Sequence, residues 1–108
     1  MWNKPTLKYL SKLPKLGAQD GNHTKEVTIY AHFFMGDCDW YISEFDGKDE
    51  FFGFVILNGD YEMAEWGSIS FKELYELKFY FIEVDFDLYW TPKKVKEINK
   101  IVEARGSW

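Results

Sequence analysis

Three carboxylates recur at every second residue near the end of the chain, at Glu83, Asp85 and Asp87. In an extended strand, residues two apart share one face at a spacing of about 7 Å, so these groups could alter one another's ionisation or share a cation. A half-buried strand also needs polar side chains on its outer face, and neither a base nor a histidine is aligned with the row. The row is therefore predicted to be a solvated acidic face, with a shared cation as the alternative.

His32 and Cys38 lie six residues apart across a predicted turn and could approach each other as a base and a thiolate nucleophile. A lone histidine in a strand is usually packed or solvent-facing, and cysteine is commonly a small buried residue. The sequence contains no zinc-ligand pairs, phosphate-binding loop, dinucleotide fingerprint or Gly-x-Ser-x-Gly elbow. We therefore predict a protein that is not an enzyme, with no catalytic residue, no bound metal and no cofactor.

Aromatic residues are unusually abundant, with five Trp, seven Tyr and ten Phe in 108 residues. One core of this size is not expected to bury them all, so some should be exposed. Alternation along residues 79–90 places Phe79, Phe81 and Tyr89 beside the acidic row. Such a face favours a protein partner with a basic patch, because aromatic anchors supply affinity and charge speeds the encounter. An aromatic core together with a homodimer seam is the alternative explanation.

Charge is unevenly distributed along the chain, whose net charge is −5. Residues 1–25 carry five bases against one acid, residues 26–90 fifteen acids against three bases, and residues 91–108 five bases against two acids. The basic ends support a second hypothesis, a nucleic-acid-binding module. Its surface would include four lysines near the end of the chain: Lys93, Lys94, Lys96 and Lys100. Arg105 is the only arginine, which disfavours sequence-specific reading of bases.

Hydrophobic alternation predicts four strands in the first two thirds of the chain, at residues 27–34, 40–45, 51–57 and 61–69. Asp46-Gly47 and Asn58-Gly59 predict hairpin turns, and loops this short require antiparallel pairing. Residues 79–90 alternate over their whole length, which predicts a fifth, long and half-buried strand.

Two helices are predicted to accompany the strands. Ser70 and Glu73 have the spacing of a capping box, which predicts a short helix near 71–77. Thr91 suits an N-cap and Pro92 the first helical position, and the apolar residues that follow predict a C-terminal helix near 92–105 that covers the sheet. The predicted fold is therefore α+β, a curved antiparallel sheet of about five strands, built from two hairpins and a long strand, with these two helices.

A length of 108 residues predicts a single domain. It would consist of an irregular basic lead-in (1–25), an acidic, aromatic-rich sheet region (26–90) and a basic C-terminal helix (91–108). No apolar run is long enough to span a membrane, no signal peptide is evident, and a single cysteine cannot form a disulfide within the chain. A cytoplasmic protein without membrane contact is expected, either as a monomer or as a homodimer.

Four segments, read in order, resemble a small bacterial family of unknown function whose members are often encoded on plasmids, phages and other mobile elements: residues 40–47, 51–55, 67–74 and 85–92. The similarity spans about Leu13 to Ile98 and implies no particular activity. Where the family tends to have a Glu-Arg-Asp triplet, this chain has Asp85-Phe86-Asp87. The resulting hypothesis is a non-enzymatic accessory protein of a mobile element that acts by macromolecular binding, in its most specific form an acidic inhibitor or nucleic-acid mimic of a host protein.

Overall fold

The computed structural model describes residues 1–106, and an open antiparallel sheet lies at its centre. The strands are β1 Thr28–Ile29, β2 Ala31–Met35, β3 Cys38–Phe45, β4 Glu50–Ile56, β5 Glu65–Ser70, β6 Lys78–Phe79, β7 Ile82–Glu83, β8 Asp85–Phe86 and β9 Lys93–Lys94. The helices are α1 Leu7–Leu10, α2 Phe71–Glu76 and α3 Asn99–Glu103, with 3₁₀-helical turns at Thr24–Glu26 and Val95–Glu97. The main sheet has the order β5-β4-β3-β2-β8, while β1 pairs with β9 and β6 with β7. The predicted α+β class, the five-stranded antiparallel sheet and the short helix near 71–77 are confirmed.

The central strand β3 is buried along its whole length between β2 and β4. Its register with β4 shifts at Ser43, a β-bulge that bends the strand. Beside this bulge, the backbone of Tyr41 lies so close to Gly53 that an added Cβ would overlap the Tyr41 carbonyl oxygen and stand 2.9 Å from its carbonyl carbon. Position 53 of β4 therefore requires glycine because another backbone approaches it.

Apolar layers cover both faces of the sheet. On one face, α1, α2 and the start of the chain pack over a cluster that includes Phe33, Trp40 and Phe51. On the other face, three residues at and after the second 3₁₀ turn pack against Tyr41 and Phe54: Val95, Ile98 and Ile101. The two layers explain why β3 is buried on both faces.

The lead-in (1–25) was predicted to be irregular, but it contains α1 and supplies part of the core. The Thr6 side chain caps α1 by accepting a hydrogen bond from the Tyr9 amide at 3.0 Å. Leu10 and Leu13 are buried in the first cluster, as is Met1. Three buried positions spread over thirteen residues are too sparse to show an apolar period in the sequence.

Glu44, a buried carboxylate on β3, anchors the rest of the lead-in. Its two oxygens accept hydrogen bonds from the backbone amides of Gly17 and Gln19, each at 2.9 Å. The Gln19 side chain in turn donates to the carbonyls of Thr28 and Ser43 and accepts from the Thr28 amide. Two side chains thus tie residues 17–19 of the lead-in to the sheet.

Replacing Glu44 by alanine is expected to lower the free energy of unfolding by about 2 kcal/mol, because two partly buried amides lose a charged acceptor. Chemical denaturation at pH 7 measures the loss. Glu50→Ala removes an exposed carboxylate from the neighbouring strand and should change stability by no more than about 0.5 kcal/mol. Similar losses in both variants would contradict an anchoring role for Glu44.

The prediction of one long strand over residues 79–90 is wrong. The chain turns at Tyr80, whose φ is +58°, so β6 and β7 form a short hairpin, and only β8 joins the main sheet. Alternation predicted six side chains on the core face, of which only Val84 and Phe86 are buried: Tyr80, Ile82, Val84, Phe86, Leu88 and Trp90. The lead-in residues Met1 and Leu10 belong to the same core cluster as Val84 and Phe86. They cover part of the sheet face that a long fifth strand would otherwise cover.

The C-terminal helix predicted near 92–105 is also much shorter than expected. Lys93 and Lys94 are extended and pair with β1, and the Val95 amide continues this pairing by donating to the Val27 carbonyl at 2.9 Å. Ile98 is extended as well, so α3 covers Asn99–Glu103 only. The apolar residues whose spacing predicted one helix therefore lie on two short elements, the 3₁₀ turn Val95–Glu97 and α3, and on Ile98 between them. The strand predicted at 61–69 similarly begins only at Glu65.

Candidate functional site

The predicted acidic row does not form a face of unengaged carboxylates, because the chain uses each acid internally. Glu83 accepts a hydrogen bond from the Met1 ammonium at 2.6 Å and lies 3.9 Å from the Lys78 ammonium. The hydrogen bond from Met1 is the main cause of a lowered pKa for Glu83. Asp85 accepts a hydrogen bond from the Asn3 amide at 2.9 Å. These two acids therefore hold the first residues of the chain against the sheet.

The third acid, Asp87, belongs to a network centred on His32. His32 Nδ1 lies 3.1 Å from Asp87 Oδ2, and His32 Nε2 lies 2.7 Å from Asp39 Oδ1. The second oxygen of Asp39 accepts a hydrogen bond from Lys100 Nζ at 3.0 Å. Each ring nitrogen of His32 therefore has a carboxylate oxygen within hydrogen-bond distance. The network joins β2, β3, α3 and the turn after β8.

Aromatic rings pack around the His32 side chain of this network. The His32 ring stacks on Tyr41, with centroids 4.6 Å apart and planes 8° apart, and also contacts Phe34 and Trp90. Burial raises the pKa of Tyr41. Burial would likewise raise the pKa of Asp39, but the hydrogen bonds and charges of His32 and Lys100 outweigh it and lower that pKa. The cluster is a partly buried polar junction, with Asp39 at its buried end and Lys100 at its exposed end, in which both histidine nitrogens are occupied.

The alternative pairing of His32 with Cys38 is not formed. Cys38 instead accepts a hydrogen bond from the Asn58 amide, with an N···S distance of 3.4 Å, and is buried. Within residues 1–106, no three His, Cys, Asp or Glu side chains are arranged to hold a metal ion. The base and the thiol that the sequence could have paired are therefore engaged with other partners.

The aromatic residues predicted beside the acidic row are all exposed. Phe79, Tyr80 and Phe81, which we call the aromatic tip, are 63%, 84% and 86% exposed at the end of the β6–β7 hairpin. Tyr89 is 93% exposed in the turn that follows β8. Alternation placed Tyr80 on the buried face, so sequence reasoning missed it. The sequence signal that could have revealed its exposure is the run of three successive aromatic residues, Phe79-Tyr80-Phe81, in a strand that has too little core to cover.

The four lysines of the alternative basic surface contact other side chains in the structure: Lys93, Lys94, Lys96 and Lys100. Lys94 and Lys96 each donate to the Glu26 carboxylate at 2.7 Å, and these hydrogen bonds lower the pKa of Glu26 to about 2. The Lys93 ammonium lies 4.4 Å from the centre of the Trp90 ring. The surface is consequently less cationic than its lysines alone suggest.

Comparison of the chain with protein-family models, with curated proteins and with solved structures finds no match. The resemblance stated above therefore stays a prediction. No helix among residues 1–106 is both long enough and apolar enough to cross a membrane.

Proposed function

We propose that the protein acts by binding another protein through the aromatic tip. The observation that carries this proposal is the exposure of three successive aromatic side chains at the end of a hairpin. Exposed aromatic clusters of this kind are costly in water unless a partner covers them. Phe and Tyr are also side chains that anchor protein interfaces well.

The backbone at the aromatic tip supports the same proposal. Tyr80 has a φ of +58°, a region that disfavours side chains with a Cβ and is most readily occupied by glycine. A bulky residue in this position costs about 1 kcal/mol relative to glycine. A tyrosine that strains the turn and also leaves its ring in solvent contributes little to folding, which favours a role in binding.

The size of the tip suits an interface anchor. Three exposed aromatic rings offer roughly 400–600 Å² of surface, against about 800 Å² that each partner contributes to a standard interface. Lys78 and Glu83 pair across the base of the hairpin and hold its two strands together. The hairpin can therefore present the rings without reorganising the sheet.

The other hypotheses receive less support from the geometry. An acidic inhibitor or nucleic-acid mimic would need free carboxylates at Glu83, Asp85 and Asp87, yet all three are engaged within the chain. Stacking of single-stranded nucleic acid would need a basic groove beside the rings. The role as a non-enzymatic accessory protein of a mobile element rests on the sequence resemblance and on the lack of catalytic motifs in the sequence.

Removing the tip rings is expected to abolish partner binding while leaving the fold intact. The variant Tyr80→Gly with Phe81→Ser relieves the positive φ, so its melting temperature should equal or exceed that of the unmodified protein. Nuclease-treated lysate of the host cell is passed over both proteins, and retained proteins are quantified. Loss of two aromatic anchors should reduce retention of the specific partner at least tenfold.

Leu7→Ser is the matched control, because Leu7 is 82% exposed and belongs to α1 rather than to the hairpin. It should retain the same partner as the unmodified protein. Identical retained proteins with the double variant and the unmodified protein would overturn the proposal, as would partner loss caused equally by Leu7→Ser.

A further inference from the structure

The two edges of the main sheet differ in whether another backbone segment is hydrogen-bonded to them. At the β8 edge, the first residues of the chain continue the hydrogen bonding: the Trp2 amide donates to the Val84 carbonyl at 3.0 Å, and the Phe86 amide donates to the Asn3 carbonyl at 3.2 Å. At the β5 edge, no segment within residues 1–106 pairs with the outer side of the strand. Strand β5 also contains no Lys or Pro, the residues that commonly protect an exposed edge.

The register shows which groups β5 presents outward. The Phe71 amide donates to the Asp49 carbonyl at 2.8 Å, and hydrogen-bonded pairs recur at every second position of an antiparallel ladder. Residues 65, 67 and 69 therefore bond to β4, while Trp66 and Ser68 direct their N–H and C=O groups away from the sheet. The edge offers two donors and two acceptors in strand geometry.

An apolar groove runs beside this edge. It consists of two adjoining clefts of about 320 Å³ each, which share Val55, Leu57 and Ser68. Leu74 and Leu77 line the end at α2, and Met63 lines the other end. An added Cβ at Gly67 would meet no atom within 4 Å, so nothing blocks the path from the edge to Val55. A side chain from an added strand could cross Gly67 into this groove.

The charge of the groove indicates what would fill it. Its described lining includes the carboxylates of Asp60, Glu65 and Glu73 and no lysine or arginine. Glu65 and Glu73 are both exposed. A basic segment would be attracted to this site, whereas an acidic segment would be repelled.

We propose that the β5 edge and its groove bind an extended peptide segment of a partner protein that carries apolar and basic side chains. The peptide adds a sixth strand to the sheet by bonding to the outward groups of Trp66 and Ser68. Its apolar side chains fill the groove, and its Lys or Arg side chains lie near Asp60, Glu65 and Glu73. This mode of recognition takes affinity from the backbone and specificity from alternate side chains.

A second copy of the chain is the competing occupant, and charge argues against it. Antiparallel pairing of two β5 strands would bring Glu65 and the other groove carboxylates of both copies to one interface. Like charges placed close together across paired strands are destabilising. None of the residues that line the groove belongs to the aromatic tip, so the two can be tested by different substitutions.

The test uses a fluorescein-labelled peptide of seven residues that alternates Val and Lys, with binding followed by fluorescence anisotropy. We expect saturable binding that weakens at least tenfold when Lys is replaced by Glu. Only alternate residues of an added strand bond to the edge, so methylating the backbone nitrogens of one alternate set should abolish binding, while methylating the other set should be tolerated. Hydrogen exchange of the Trp66 and Ser68 amides should slow in the complex.

Gly67→Val is the blocking variant, because its side chain enters the open groove and suits a strand. The variant should have the melting temperature of the unmodified protein, and its affinity for the peptide should be at least tenfold lower. The double variant at Tyr80 and Phe81 should bind the peptide as the unmodified protein does. Equal tolerance of both methylated peptides, or unchanged affinity of Gly67→Val, would overturn the proposal. A dimer in sedimentation velocity that Gly67→Val converts to monomer would overturn it in favour of a second copy.

Discussion

Replacing Gly53 by alanine is expected to lower the free energy of unfolding by about 3 kcal/mol or more, enough to unfold much of a marginally stable domain. The added Cβ would overlap the Tyr41 carbonyl oxygen at the β-bulge of the central strand. Backbone cannot move aside as a flexible side chain can, so either the β3–β4 pairing or the bulge must break. Urea denaturation followed by far-ultraviolet circular dichroism measures the loss.

Gly67 provides a closely matched control, since it is the residue directly opposite Gly53 in the β4–β5 pair. An added Cβ at Gly67 meets nothing within 4 Å. Gly67→Ala is therefore expected to be neutral or to stabilise by up to about 1 kcal/mol, because alanine restricts the unfolded chain more than glycine does. Equal destabilisation by the two substitutions would show that strand glycines matter here for a reason other than close backbone approach.

Replacing Asp39 by alanine is expected to destabilise the protein by about 3 kcal/mol at pH 7. Asp39 is 4% exposed and binds both His32 and Lys100, so its removal leaves His32 with one carboxylate partner and Lys100 with none from this network. Asp37→Ala removes an exposed acid two residues away and should change stability by no more than about 0.5 kcal/mol.

The effect of Asp39→Ala should depend on pH in one direction. The folded state lowers the pKa of Asp39 below its usual value of about 3.9, so the ionised group contributes its full stabilisation above that value. The contribution is lost as pH falls through the lowered folded-state pKa. The difference in unfolding free energy between the two proteins should therefore shrink below about pH 4. A difference that grows toward low pH would contradict the assigned charge of Asp39.

The parts of the fold that were predicted correctly depend on neighbouring residues. The hairpin around Asp46-Gly47 follows from turn chemistry, and so does the tight turn at Asn58-Gly59, although the loop that contains it continues to Ala64 before β5 begins. Helix α2 follows from its cap, where Ser70 Oγ accepts a hydrogen bond from the Glu73 amide at 3.2 Å. In each case the signal lies within a few residues of the structure it specifies. Strands β3 and β4 therefore lie close to their predicted positions, whereas the strand predicted at 27–34 is divided into β1 and β2, which belong to different sheets.

The parts that were predicted wrongly depend on distant residues. Alternation over 79–90 is compatible with a long strand, but side chains from the lead-in share the core with Val84 and Phe86. The acidic row was predicted to be solvated because its partners, Met1, Asn3 and His32, lie more than fifty residues away in sequence. A period-two pattern identifies which side chains share a face only after the chain is known to be straight.

The candidate site was predicted in part. Composition alone indicated that some aromatic residues must be exposed, and Phe79, Phe81 and Tyr89 are exposed. The groove beside β5 was not foreseen, because it depends on where α2 and the loop before β5 lie relative to the sheet. Tyr80 was missed because its conformation could be inferred only from the turn that it occupies.

The position of the first residues beside β8 has a consequence for folding during synthesis. Strands β2 to β5 are consecutive and can pair soon after they leave the ribosome, but Met1 and Asn3 find their partners only when residues 75–86 have emerged. At translation rates of about 5–20 residues per second, Met1 and Asn3 wait several seconds for these contacts. During that interval Leu10 and Leu13 belong to an incomplete core, because Val84 and Phe86 of the same cluster are synthesised more than seventy residues later.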